Sequence, residues 1–568
     1  MHEDLLADSR GVLSVRSAMR QLRYWMQAVC VAVLAMAWAT TASAVCYVNG
    51  AAGGANTGAS WADAYTLLQS ALIDVACSEV WVAQYTYKPV VPANVGSVTP
   101  TERGVSFAIR PGVAVYGGFL GNEASRAARD PLGNVTILSG DLDNNDNLTD
   151  GADADASDIV GTNTRHIVVL NGTTGASITA TTVLDGFTLT GGDNSNNNEG
   201  GGALWCRGSG AGHECSPVLA NLVFSGNKAT NGGAMALDGY SGGGSNPTLT
   251  DVTFSGNSAS MFGGALYDNG QSTGTGGTAS PALTRVTFSG NSSAFYGGAM
   301  FNDGSNGAGA VSSPTLTNVV FNNNIAAMNG GAMYNNGAGG ASSPTLTNVT
   351  FFNNQTTTLD GGAMYNRGGS SGTSSPTLIN VTFSGNKATS SNGGAMFSDG
   401  TGGTSSPKLV NATFNGNSAT SGGALYNQGG ATTLLISSIL WGDSASVAGA
   451  EFFSSVGETS LYNSIVQGGC VINCGGISIS TSNPILGSLA YNGGFAPTMM
   501  PGVGSPAIDA IACGYANETP LTDARGAVRP DSASSGPTRC DIGAVEANSL
   551  PGDLIFADRF GSSPWDDF

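Results

Sequence analysis

Charge is scarce in this chain. Lys, Arg, Asp and Glu make up 10% of its 568 residues, against about a quarter in ordinary soluble domains. Helices packed on a core carry such residues on their outer faces, so a helical enzyme is excluded. Basic charge is scarcer still. Twenty Lys and Arg against 39 Asp and Glu leave a net charge of −19, with no basic stripe to neutralise phosphates, so nucleic acid is excluded as a partner. After residue 44 there is no apolar run of the roughly 18 residues a spanning helix needs, so no transmembrane segment is expected in the mature chain. Disorder is excluded by a hydrophobic content of 41%, too apolar for a solvated coil. Glycine is what the chain has in excess, 85 residues, without the triplet period of collagen. A β-rich, glycine-turned, neutral-surfaced protein remains.

The amino end reads as an export signal. Arg20 and Arg23 precede an apolar stretch from Ala28 to Trp38, and Ala42-Ser43-Ala44 supplies small residues for cleavage before Val45. Glu3, Asp4 and Asp8 do not suit a basic leader, which makes Met19 a candidate start. Without residues 1–44 the net charge is about −20, which repels anionic lipid and highly acidic polymers unless cations intervene. Eight cysteines then remain, in four sequence-local pairs: Cys46 with Cys77, Cys206 with Cys215, Cys470 with Cys474, and Cys513 with Cys540. Disulfides in an oxidising compartment suit them, and proximity alone suggests the pairing. Zinc is disfavoured, because Cys470 and Cys474 have no second pair nearby and the mature chain has only His166 and His213.

A repeat fills the centre. Pro recurs at 217, 247, 281, 314, 344, 376 and 407, and seven residues after each comes Phe224, Phe254, Phe288, Phe321, Phe351, Phe383 or Phe414. Three further on stands Asn227, Asn257, Asn291, Asn324, Asn354, Asn386 or Asn417, and Gly-Gly-Ala follows each within a few residues. Each unit reads as three short strands joined by turns, with the Phe inward and the Asn in left-handed turn geometry, its amide free to bond to the same Asn one coil away. About 31 residues without a helix cannot bury a core alone, but stacked copies can. The expected fold is all-β, a right-handed parallel β-helix (solenoid) with one repeat per coil. Residues 61–75, with Leu67, Leu68, Ala71 and Leu72, are expected to form a helical N-terminal cap, and residues after 474 an irregular C-terminal cap.

The FxxN and GGA[ML]Y pairs, such as Phe288 to Asn291 with Gly297 to Phe301, resemble the repeats of polymorphic outer-membrane-protein type surface proteins. The opening segment is similar to secreted right-handed β-helix proteins through Ser60-Trp61-Ala62, Val80-Trp81-Val82-Ala83, Tyr116-Gly117-Gly118-Phe119 and Leu184-Asp185-Gly186-Phe187. The closing segment resembles the choice-of-anchor module through Gly504 to Asp509, Asp523-x-Arg525-Gly526, Arg529-Pro530 and Cys540 to Glu546. The resemblance implies a β-helix at the cell surface or secreted, and carries no catalytic set. The expected organisation is a signal peptide (1–44), N-terminal cap and first coils (45–190), repeat β-helix (191–470, seven clear repeats in 217–429), C-terminal cap (471–548) and tail (549–568). That tail is a candidate sorting segment, with packing on the cap as the alternative.

Three features are candidates for chemistry. The first is the run Asp141, Asp143, Asp146, Asp150, Asp153, Asp155 and Asp158, whose oxygens could hold calcium. It lacks the EF-hand glycine and closing acid, and the alternative is a solvated insertion. The second is a carboxylate row just before the turn glycine, Asp238 and Asp303 with Asp399, where a pair such as Asp238/Asp303 or Asp268/Asp303 would serve glycoside hydrolysis; turn chemistry is the alternative. The third is the aromatic column Tyr267, Phe301, Tyr334, Tyr365, Phe397 and Tyr426, beside the column Met235, Leu266, Met300, Met333, Met364, Met396 and Leu425. Only one of the two columns can point inward, and the aromatic one is expected to; facing out, it would offer sugars a platform. His166 and His213 read as surface or turn residues. The functional expectation is an exported adhesin or glycan-binding surface, whose partner is a polysaccharide or a host or neighbouring cell. The alternatives are a polysaccharide lyase or glycoside hydrolase, and a structural layer protein. No cofactor is expected apart from the calcium candidate.

Overall fold

The computed structural model describes residues 44–90, 103–149, 151–197, 199–272, 274, 276–470, 473–513, 520–530 and 539–549. The expected signal peptide, Asp150 and nearly all of the tail lie outside them. By contacts the chain divides after Val45, and Cys46 onward forms one unit.

Each repeat winds once through three parallel strands. One coil runs through Thr345–Phe352, Gln355–Thr356 and Met364–Arg367. Equivalent strands of successive coils pair in register, Leu316 on Leu346 and Phe321 on Phe351, Met333 on Met364. They build a first sheet of 20 strands, a second of 11 and a third of 9. The protein is therefore a parallel β-helix, and right-handed winding is the sense expected for parallel strands joined by such crossovers.

The interior is built of columns. The seven repeat phenylalanines are fully buried and stack with centroids 4.7–4.9 Å apart, the spacing of neighbouring strands. Beside them run the seven asparagines, also fully buried. Asn324 shows the pattern. Its Nδ2 donates to Phe288 O at 3.0 Å and Asn354 Oδ1 at 2.9 Å, while its Oδ1 accepts from Asn291 N and Nδ2, both at 3.0 Å. A buried amide column is stable because every member is satisfied. These asparagines are not the left-handed residues of the turn. Positive φ falls one position earlier, at Gly290, Asn323 or Gly385 for example, where the chain leaves the first sheet.

A second left-handed column breaks the strand of the first sheet. Asn221, Asp251, Arg285, Asn318, Asn348, Asn380 and Asn411 all have φ between 50° and 56°. Each is a left-handed kink shared by every coil, which resets the pleat without shifting register, so Leu346 and Val349, three apart, both point inward. Strict alternation through Pro344 to Phe351 does not hold.

At the N-terminal end the helix spans only Leu68–Ile73. Leu68, Ala71 and Leu72 are buried against the core, and Leu67 is 43% exposed. The preceding residues are held as extended chain, because Tyr65 exchanges backbone hydrogen bonds with the first strand, Ala44–Val48, and its neighbour Asn49. Trp61 instead packs on Tyr47 and Phe119.

The irregular C-terminal segment runs back along the outside of the first sheet. Thr350 Oγ1 donates to Pro497 O (2.8 Å), Asn380 Nδ2 to Thr522 O (2.9 Å) and Asn411 Nδ2 to Gly543 O (3.1 Å). It buries the outward threonines Thr350, Thr382 and Thr413. Its motif residues form a buried charge network, with Arg529 2.9 Å from Glu546 and Arg525 2.8 Å from Asp523. Those residues hold the segment together and present no open site.

Candidate functional site

Strand alternation decides which column of the second sheet is inside. The Met and Leu residues at 235, 266, 300, 333, 364, 396 and 425 belong to the main core. The aromatic column is a separate cluster on the outside, Phe301, Tyr334, Tyr365 and Phe397 with Tyr267 and Tyr426. The expected inward aromatic column is thus corrected. The interior already holds the phenylalanine stack, and the flexible Met side chain fills what is left. Outside, the rings are shielded by stacking on one another, 4.9–5.0 Å apart and within 6° of parallel from Phe301 to Tyr426. Their faces are therefore occupied; edges and hydroxyls are what they offer.

The residue two positions after each ring stands on the same side of the strand. Register aligns Arg207, Asp238, Asn269, Asp303, Asn336, Arg367, Asp399 and Gln428 in one outward row. Tyrosine hydroxyls reach the row one coil ahead, Tyr267 to Asp303 at 3.3 Å and Tyr365 to Asp399 at 3.2 Å, and Tyr334 meets Arg367 in the same way. Between row, rings and turn loops lies a cavity of about 360 Å³, within the range of about 300–1,000 Å³ for small-ligand sites. Phe262, Tyr296, Phe301 and Tyr334 form its apolar wall; Gln271, Asp303, Asn336 and Arg367 supply polar groups. Phe262 and Tyr296 were not singled out in the sequence, although an aromatic directly before Gly-Gly in adjacent coils is the signal that marks them.

Asp303 is the most enclosed charged group of the cavity, 2% exposed. Tyr267, Gln271, Ser305 and Asn336 all donate to its carboxylate. Burial pushes its pKa up and these donors pull it down, with burial ahead. Asp238 is also raised by burial, and it accepts from Asn269 at 3.2 Å. Asn269 stands between the two acids in register, leaving them two rungs or about 10 Å apart. Asp268 points the other way, into the interior beneath the Asn302 column, where burial pushes its carboxyl well above the usual range. The structure therefore does not bring Asp268 and Asp303 together across one site.

The aspartates of the 141–158 loop mainly cap their own chain. Asp141 pairs with Lys88 at 3.1 Å, Asp143 accepts from Thr162 N, Asp146 from Val160 N and Asn163 Nδ2, Asp155 from Ser157, and Asp158 from Ala154 N and Asp155 N. Asp153 is buried beside Asp146 and is pushed up to about 7 by burial and that neighbouring charge. Among the described residues, the three-group cluster with ligand atoms close enough for a metal is Cys46, Asp74 and Cys77, and its two thiols are joined as a disulfide. Three further disulfides join Cys206 to Cys215, Cys470 to Cys474 and Cys513 to Cys540.

His166 is buried and not a surface residue. It stacks on Trp205 at 4.8 Å and lies 3.6 Å from Glu199. Arg207 covers the Trp205 ring at 4.2 Å, and Trp205 is half-buried. His213 is exposed, bonded to Ser209 O.

Residues 251–269 and 411–428 match the Chlamydia polymorphic membrane protein repeat. Both stretches run from the left-handed residue of the first sheet through FxxN to the aromatic column. No curated protein matches the chain. Repeat and fold together make this a parallel β-helix protein with polymorphic-membrane-protein-like repeats, and they fit a surface-exposed β-helix. Among the described residues no helix is long and apolar enough to cross a membrane.

Proposed function

We propose that the chain is an exported, surface-exposed β-helix that binds glycan on the outer face of its second sheet. The cavity between the aromatic column and the Asp303–Arg367 row carries this reading. It combines ring edges, tyrosine hydroxyls, side-chain amides, a carboxylate and a guanidinium within four coils, and such a set matches the mixed apolar and hydroxyl surface of a sugar. Asn and Gln both donate and accept, as sugar hydroxyls do. Adhesion to a neighbouring or host cell follows if the glycan is displayed there. The hydrolase alternative is not favoured, since Asp303 is saturated by donors and the next acid of the row is two rungs away. The test is retention of the mature protein on a panel of neutral and acidic polysaccharides, scored also for new reducing or unsaturated ends. Retention without new ends is expected. New ends would make it an enzyme, and no retention on any polysaccharide would remove the glycan reading.

A further inference from the structure

The row that lines the cavity changes chemistry from coil to coil, and one change reverses its sign. Across seven repeats the position holds acids or amides, except for Arg367. In a chain of net charge −19, Arg367 puts a local positive charge at the cavity, which favours an anion there. The acids nearby are engaged. Asp303 accepts from Tyr267, Gln271, Ser305 and Asn336, and Asp399 from Tyr365 Oη and Thr401 N. Among the described residues no carboxylate comes within ion-pair distance of Arg367. Its guanidinium is exposed and lies against the Tyr334 hydroxyl at the cavity edge. A guanidinium held this way has a planar fork of donors facing solvent, which matches a carboxylate in shape and charge.

We infer that Arg367 selects glycans carrying an isolated carboxylate, a single uronic acid in an otherwise neutral oligosaccharide. This rests on the reading of the cavity as a glycan site. The carboxylate meets Arg367, and the neighbouring neutral sugars lie toward Asn336, Gln271 and the edges of Phe301 and Tyr296. Long polyuronates are disfavoured, because the protein's net charge repels every acid beyond the first.

The test uses pairs of short oligosaccharides, each with one gluco-, galacto- or manno-configured uronate, against the same molecules with that carboxylate methyl-esterified. Esterification keeps the shape and removes the charge. Calorimetric titration of the mature protein is expected to give at least one acid bound tenfold or more tightly than its ester. Arg367→Gln should abolish that preference, so that acid and ester bind alike, and Arg367→Lys should keep part of it. The side chain is exposed, so an unchanged melting temperature is the check on folding. Equal binding of every acid and its ester, or a preference that survives Arg367→Gln, overturns the inference and leaves the glycan reading standing. If no oligosaccharide or polysaccharide of either kind binds, the glycan reading itself fails, and this inference with it.

Discussion

Two aromatic stacks run side by side through this solenoid with nearly the same pitch, 4.7–4.9 Å inside and 4.9–5.0 Å outside. Their companions differ. The inner phenylalanines run beside an asparagine column that is the same in seven coils, each amide bonded to the next. The outer rings run beside a row that reads Asp, Asn, Asp, Asn, Arg, Asp, Gln. Inside, a changed residue would leave its neighbours' donors and acceptors unpaired in a dry environment, so uniformity is enforced. Outside, solvent satisfies what the neighbours do not, and each coil is free to differ. Rigidity belongs to the inner stack, and the proposed recognition to the outer row.

The sharpest way to break this contrast is to remove an inner ring. Phe321→Ala should cost about 3–5 kcal/mol in denaturant unfolding, with protease nicking centred on the neighbouring coils. If stability is unchanged, the inner stack is not what holds the coils. Tyr334→Ala should cost less, about 2–3 kcal/mol, since its void opens into the cavity and rehydrates; an equal loss would erase the distinction. The inner amide column is tested by Asn324→Ala, expected to cost about 1–3 kcal/mol through groups left unpaired. A neutral result would show that its hydrogen bonds merely replace hydration.

The C-terminal end of the amide column gives a pH test. Asn417 N and Nδ2 donate to Asp443 Oδ1 at 2.6 and 2.7 Å. Buried Glu451 interacts with Asp443, and burial pushes Glu451 up to about 7. The folded state thus holds a proton that the unfolded chain releases near pH 4.5. Stability should fall as pH rises from about 4.5 through about 7, with Glu451 contributing on the order of 2 kcal/mol and Asp443, also raised by burial, extending the fall. Trp441 fluorescence against denaturant would follow it, and Glu451→Gln should reduce the slope, leaving the share of Asp153, which is also pushed up to about 7. An undiminished slope in that variant would place the titration elsewhere. The smallest effect is expected at the exposed Asp251–Arg285 pair, 2.6 Å, where Asp251→Asn should cost about 1 kcal/mol or less.

Much of the solenoid is legible in the sequence because identical positions stack, so a contact between coils appears as a period. The Phe, Asn and Gly-Gly-Ala offsets report directly on columns. Facing was harder to read. Met and Tyr are both apolar enough for either side, and the left-handed residue at Asn348 and its equivalents breaks the alternation from which facing would be read. Asp443 and Glu451 sit in a worn eighth coil, Leu440 to Glu451, where Leu replaces Phe, Asp replaces Asn and Glu replaces Ala, and the offsets no longer flag it. The cavity was least legible. Gln271, Asn336 and Arg367 come from three coils, and their shared position becomes a site only once the outer face is known.

Amide hydrogen exchange of the mature protein, free and saturated with its tightest-binding oligosaccharide, tests the division between the stacks most directly. Binding should slow exchange in the turns that follow the row, at residues 303–306, 336–339 and 367–370. It should leave Asn324 and Asn354, whose backbone amides already donate to the inner column, slow and unchanged. Protection that appears in the inner columns or at the coil ends, with none in those turns, would contradict the account.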